Sequence, residues 1–111
     1  MIMLYNYKVW IEEHDESILK DRLNSILTLS GYNILNFVEH HFFPFGYTSI
    51  WLLAESHLAI HTYPEYCRCY VELTGCSKIK NYKFVQLIND KFKCLEAINC
   101  NNTIEIKMDV L

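Results

Sequence analysis

The sequence predicts an α+β domain: a two-layer sandwich in which one mostly antiparallel sheet carries two helices on one face. Three observations lead there. Several segments alternate apolar and polar residues with the period of two expected of half-buried strands. Two segments instead space their apolar residues for one helical stripe. The order reads β-α-β-β, a short β, then β-α-β, with the helices at equivalent places in two internally repeated β-α-β-β halves.

Each element has its own justification. From Leu4 to Glu13, Tyr5, Tyr7, Val9 and Ile11 alternate with Asn6, Lys8 and Glu12, which predicts a strand. His14-Asp15-Glu16-Ser17 has helix-start chemistry. Leu19, Leu23, Ile26 and Leu27 then form one stripe, and Gly31 follows where a left-handed cap belongs. Tyr32 to Phe43 is expected as a strand, closed by the turn Pro44-Phe45-Gly46. Tyr47 to Ala54, mostly apolar and rich in β-formers, is expected as a buried strand, and Leu58 to Tyr63 as a short one ended by Pro64. Tyr66 to Leu73 alternates again, which puts Cys67, Cys69, Val71 and Leu73 on a core face until Thr74-Gly75 breaks the strand. Asn81 to Leu95 is helical by the spacing of Phe84, Leu87, Ile88, Phe92 and Leu95. A turn at Asn99–Asn102 precedes a last strand, Thr103 to Val110, with Ile104, Ile106, Met108 and Val110 on its buried face. A helix-free sheet face this rich in aromatics needs covering, so dimerisation through it or through an edge is expected.

The totals bound the function. A chain of 111 residues, 51% hydrophobic, suits a single domain over 1–111. A net charge of −3, with the ten Lys and Arg scattered, gives no footprint for nucleic acid. No apolar run approaches the ~20 residues of a membrane helix, and the N-terminus lacks signal-peptide features, so no membrane partner is expected. Five cysteines, an odd number with no CxxC pair, argue against a disulfide framework or zinc ribbon and for a reducing, cytoplasmic setting.

The chemistry concentrates in Glu55-Ser56-His57-Leu58-Ala59-Ile60-His61-Thr62-Tyr63-Pro64-Glu65, followed by Cys76. A serine hydrolase would want the G-x-S-x-G elbow, which is absent around Ser56. His57 and His61 have ligand spacing for a helix, but on a strand they stand ~13 Å apart. His40-His41 would face opposite ways, so no metal is expected. Ordinary packing of half-buried histidines would leave the clustering of hydroxyl, imidazole, carboxylate and thiol unexplained.

Leu52-Leu53-Ala54-Glu55-Ser56-His57 and Ile60-His61-Thr62-Tyr63-Pro64-Glu65-Tyr66 resemble the signature of the bacterial and archaeal S-adenosylmethionine decarboxylase proenzymes. His41-Phe42-Phe43-Pro44-Phe45-Gly46 resembles the segment before that signature, and Cys76 stands at the family's distance after His61. The resemblance implies self-cleavage between Glu55 and Ser56 into a β chain (1–55) and an α chain (56–111). Ser56 would become a pyruvoyl cofactor that forms a Schiff base with the substrate amine. His61 would serve processing and Cys76 would be the proton donor. Phe42 and Tyr63 would sandwich the adenine of S-adenosylmethionine, Glu65 would pair with ligand hydroxyls or positive charge, and Thr48 would supply a hydroxyl near the reactive centre. A homodimer of processed αβ protomers is implied, acting in spermidine synthesis.

Cys67-Arg68-Cys69-Tyr70 replaces the family's Gly and small residues, and in Gly75-Cys76-Ser77 the glycine precedes the thiol instead of following it. Arg68 is either a solvated strand residue or a partner for a substrate carboxylate. Larger residues there leave open a pocket for a basic amino acid such as ornithine or arginine. A non-processing homologous partner subunit is the remaining alternative.

Overall fold

The structure, a computed structural model, describes residues 2–95 and 103–108. Six strands and two helices follow in the order β1 (Ile2–Ile11), α1 (Glu16–Ser30), β2 (Ile34–His41), β3 (Tyr47–Leu53), β4 (Ser56–Tyr63), β5 (Arg68–Gly75), α2 (Lys78–Lys91) and β6 (Thr103–Met108). A single sheet has the strand order β2-β3-β4-β5-β1-β6, with every neighbouring pair antiparallel. The two helices cover one face, so the predicted two-layer α+β sandwich is what forms. The alternation of β1 is realised: Tyr5, Tyr7, Val9 and Ile11 are buried under the helices. Tyr7, Val9 and Ile11 join one core with Leu19, Leu23, Ile26 and Leu27 of α1, Phe84 and Ile88 of α2, and Trp51, Leu58, Ile60, Val71 and Leu73 of the central strands.

Local chemistry sets the helix ends. The Asp15 carboxylate accepts the backbone N–H of Ile18 at 3.0 Å, capping α1. Gly31 ends it at φ 100, a left-handed cap that a side chain would strain. Helix α2 starts earlier than its apolar spacing predicts because Ser77 caps it, accepting from the Lys80 N–H at 3.3 Å. It also ends earlier. Phe92 turns extended and stays buried, and the N–H of Leu95 bonds the Trp10 carbonyl at 2.9 Å instead of continuing the helix.

Three other expectations are corrected. β3 is not buried on both faces. Ile50 and Leu52 are 42% and 49% exposed because only one side of the sheet is covered. β5 does not break at Thr74-Gly75, since Gly75 pairs with Tyr5 of β1. Cys67 is not a core residue: it is exposed, at φ 53, capping the 3-10 turn Pro64–Tyr66, so only Cys69 of that pair is buried. The turn Asn99–Asn102, Cys100, and the burial expected of Ile104, Ile106, Met108 and Val110 lie outside the described residues.

Candidate active site

Strand β4 carries two clusters, one at each end and one on each face. The first begins at the hairpin from β3. Leu53 pairs with Ser56, so Ala54 and Glu55 are the whole turn. Such short hairpins favour Asn or Gly at left-handed positions. Glu55 nevertheless sits at φ 59, a conformation that costs an L-residue about 1–2 kcal/mol. The strained residue is the one whose carbonyl precedes Ser56.

Ser56 faces the helix layer with Leu58, Ile60 and Thr62 and is 8% exposed. Gly75 at the end of β5 lies next to it. A Cβ at Gly75 would lie 2.9 Å from Ser56 Oγ and 3.0 Å from the Tyr32 hydroxyl. The glycine that precedes the thiol therefore has a steric reason: two oxygens occupy the space of its missing side chain. Cys76 follows at the exposed end of β5, and its Sγ–H points to Glu55 Oε1 at 3.5 Å. Glu55, Ser56 and Cys76 are thus brought together.

The second cluster lies on the helix-free face. His61 stands opposite Thr48 of β3, with its Nδ1 2.8 Å from Thr48 Oγ1. Phe42, Thr48, His61, Tyr63 and Glu65 line one cleft of about 300 Å³, bringing together five residues singled out in the sequence. The cleft is shaped by the turn before β3, where the Phe42 N–H bonds the Gly46 carbonyl at 2.8 Å and Gly46 adopts φ 114. Thr62 holds its floor, accepting the Tyr47 N–H at 2.9 Å.

The two clusters do not meet within one chain. Positions 56 and 61 differ by an odd number, so their side chains leave opposite faces of β4, roughly 16 Å apart along the strand. Arg68 also stays out of the cleft. Its guanidinium lies 5.9 Å from the Trp10 ring, and its Nε–H reaches the Tyr66 carbonyl at 3.4 Å. Trp10 packs against both Tyr63 and Tyr70, at 5.5 and 5.2 Å between ring centres.

Two carboxylates near these clusters, Glu39 and Glu72, are engaged by hydrogen bonds. The Tyr47 hydroxyl donates to Glu39, which holds that carboxyl below its usual range; burial, then this bond, pushes the phenol up. Tyr70 is pushed up to about 12 by burial and by Glu72, which accepts its hydroxyl at 3.3 Å. Asn6 donates to Glu72 at 3.0 Å and to Thr74 at 2.7 Å. Among the described residues no group of His, Cys, Asp and Glu is arranged to hold a metal ion.

Sequence reasoning missed Tyr32, Gly75 and Trp10. Trp10 has the period-two position of its strand as a signal, and Gly75 the displacement of a glycine beside the thiol. Tyr32 has no local signal, since it reaches Ser56 only through the α1 cap.

A serine on a strained hairpin between central strands of a two-layer α+β sandwich, with a thiol beside it and an aromatic cleft on the far face, defines a narrow class. The family model for S-adenosylmethionine decarboxylase matches residues 10–101, and the chain belongs to that family. It is 43% identical over 95 residues to an S-adenosylmethionine decarboxylase proenzyme of Thermodesulfovibrio yellowstonii, covering 85% of this chain and 70% of the relative. A proenzyme of Prochlorococcus marinus (strain MIT 9313) is 40% identical over 63 residues, covering 57% of this chain and 50% of its own. One of Synechococcus sp. (strain WH7803) is 34% identical over 82 residues, covering 73% and 64%. The chain thus spans about half to two thirds of the length of these last two curated relatives. The fold resembles the crystal structure of the adenosylmethionine decarboxylase from Aquifex aeolicus, with a TM-score of 0.66 at 19% identity over 95% of this chain and 87% of that one.

Proposed function

We propose that this chain is a self-processing, pyruvoyl-dependent S-adenosylmethionine decarboxylase that supplies the aminopropyl donor for spermidine synthesis in the cytoplasm. The carrying observation is the Glu55–Ser56 bond: a strained left-handed residue, a serine oxygen seated over Gly75, and the Cys76 thiol alongside. In processing, Ser56 Oγ loses its proton and bonds to the Glu55 carbonyl carbon. The peptide C–N bond breaks and the nitrogen takes a proton, leaving an ester and a free amine. Removal of the Ser56 Cα proton then forms a Cα=Cβ bond as Cβ–Oγ breaks, and Glu55 departs as a carboxylate. Water converts the remaining enamine to a pyruvoyl group and ammonia.

The residues fit such a group. The missing Gly75 side chain leaves room at position 56, and a Cβ there would collide with the serine oxygen. When present, the pyruvoyl supplies an electron-accepting ketone for the pair released with carbon dioxide. Cys76, exposed beside position 56, is suited to return a proton to the substrate carbon. Phe42 and Tyr63 offer faces for a purine, a sulfonium gains cation–π attraction there, and Glu65 accepts from ribose hydroxyls.

His61, hydrogen-bonded to Thr48, has the processing role, as an acid or base positioned by that hydroxyl. It lies on the opposite face from Ser56 of its own chain, so in a homodimer a second chain's His61 would supply that role. The exposed apolar face formed by Val38, Ile50 and Leu52 supports the same reading. Arg68, occupied by Trp10 and Tyr66 outside the cleft, favours a purine-bearing substrate over ornithine or arginine.

Intact-protein mass tests the processing: two fragments corresponding to 1–55 and 56–111 are expected, and a single uncut species in Ser56→Ala. Carbon dioxide release from S-adenosylmethionine, ornithine and arginine, assayed side by side, tests the substrate. A wild-type chain that stays whole, or one active on ornithine or arginine alone, overturns the reading.

A further inference from the structure

The Tyr32 hydroxyl is a buried polar group with no assigned task. The residue is 5% exposed, and among the described residues its oxygen has no hydrogen-bond partner. An unpaired buried hydroxyl costs stability, so folding gives no reason to keep it. Its position does. Gly31 ends α1 in a left-handed turn, and the Tyr32 N–H returns to the Leu27 carbonyl at 3.0 Å, which aims the ring under the sheet. Lys80 lies 5.7 Å from the ring centre and braces its far side. The phenol oxygen then ends 3.0 Å from the vacant Cβ position of Gly75, which is itself 2.9 Å from Ser56 Oγ. Only the absence of a side chain at Gly75 lets these two oxygens share one pocket.

We infer that Tyr32 is a processing residue of this chain, the hydrogen-bond donor to Ser56 Oγ as the Cβ–Oγ bond breaks. The inference rests on the self-cleavage proposed above and adds to it the group that stabilises the leaving oxygen. In the elimination the Cα proton goes to a base and its electron pair forms the Cα=Cβ bond. Oγ departs with the Cβ–Oγ pair as an oxygen of the Glu55 carboxylate. Negative charge develops on Oγ and draws in the neighbouring Tyr32 hydroxyl, which is not hydrogen-bonded to it in the uncut chain. Burial and the neighbouring Cys76 push the Tyr32 phenol up to about 12, so it carries its proton at neutral pH and acts as a donor, not a base. The preceding attack gains nothing from such a donor, because hydrogen bonding to Oγ makes it a weaker nucleophile. Tyr32 therefore belongs to the second step.

The step assignment makes the test selective. In Tyr32→Phe, self-cleavage should slow about 100- to 1,000-fold, and the uncut chain should accumulate as the ester. Hydroxylamine would then cut it between residues 55 and 56, leaving a hydroxamate on Glu55, while Ser56→Ala stays resistant. The melting temperature of the uncut chain should not fall, because only an unpaired hydroxyl is lost. Tyr32→Leu also lacks the hydroxyl while leaving Ser56 and Gly75 untouched, and it should accumulate the same ester even if Tyr32→Phe folds poorly. Cleavage of either variant at the wild-type rate overturns the inference, as does an uncut Tyr32→Phe chain that hydroxylamine leaves intact. A wild-type chain that never cleaves sinks the self-processing reading itself, so the two failures are distinguishable.

Discussion

Single residues around the Ala54–Glu55 turn differ sharply in what they are free to do, and the cysteines make the contrast measurable. Cys69 is fully buried and burial pushes its thiol far up, while Cys67 and Cys76 are exposed. Since the thiolate is the reactive form, maleimide labelling of the native chain should modify Cys67 and Cys76 and spare Cys69. Peptide mapping that finds Cys69 labelled before unfolding contradicts this burial. The residue scale is also where the sequence was most and least legible. Ser56, His61, Thr48, Phe42, Tyr63 and Glu65 stand in an ordered pattern that a reader can find. That Cys67 leaves the core was hidden, because strict alternation through Tyr66–Leu73 ignores the turn imposed by Pro64. That Tyr32 meets Ser56 was hidden for another reason: the contact joins the end of a helix to the start of a strand, and no periodicity reports it.

At the scale of elements, the helices are held by their ends as much as by their stripes. Asp15→Ala removes the α1 cap and should destabilise the uncut chain by about 1 kcal/mol. Gly31→Ala forces a side chain to φ 100 and should cost a similar amount. In thermal melting each should lower the midpoint by about 4 °C or slightly more for a domain of this size; unchanged melting for both would mean that packing alone holds α1. Helix existence and face were readable from the apolar spacing of Leu19, Leu23, Ile26 and Leu27. The start of α2 was readable only through Ser77, a capping residue that lies outside the apolar stripe of the helix. The strand boundary at Gly75 was misjudged for a comparable reason. Glycine usually signals a break, but here its small size is what keeps β5 in the ladder beside Ser56 and Tyr32.

For the whole molecule, the buried phenols predict how stability responds to alkali. Tyr32 and Tyr70 titrate near 12 in the fold, against an ordinary value of 10.0, and Tyr47 is shifted in the same direction. The folded state therefore holds protons that the unfolded chain releases first. Their contribution is fully present below pH 10 and is lost as pH rises toward 12. The melting temperature should change little between about pH 8 and 9.5 and fall steeply above pH 10, with a shallower fall in Tyr32→Phe. An equally steep fall in that variant would assign the loss to other groups.

The strand order has a consequence for what a cut between residues 55 and 56 would leave behind. The first piece would hold β1, β2 and β3, and the second β4, β5 and β6, yet β1 is inserted between β5 and β6. The products would be interleaved like clasped fingers, joined along the β3–β4, β1–β5 and β1–β6 ladders. Dilution alone would not part them, because separation would mean pulling a central strand out of the sheet. Losing the covalent link would open a new chain end at Ser56 while leaving the architecture shut around it.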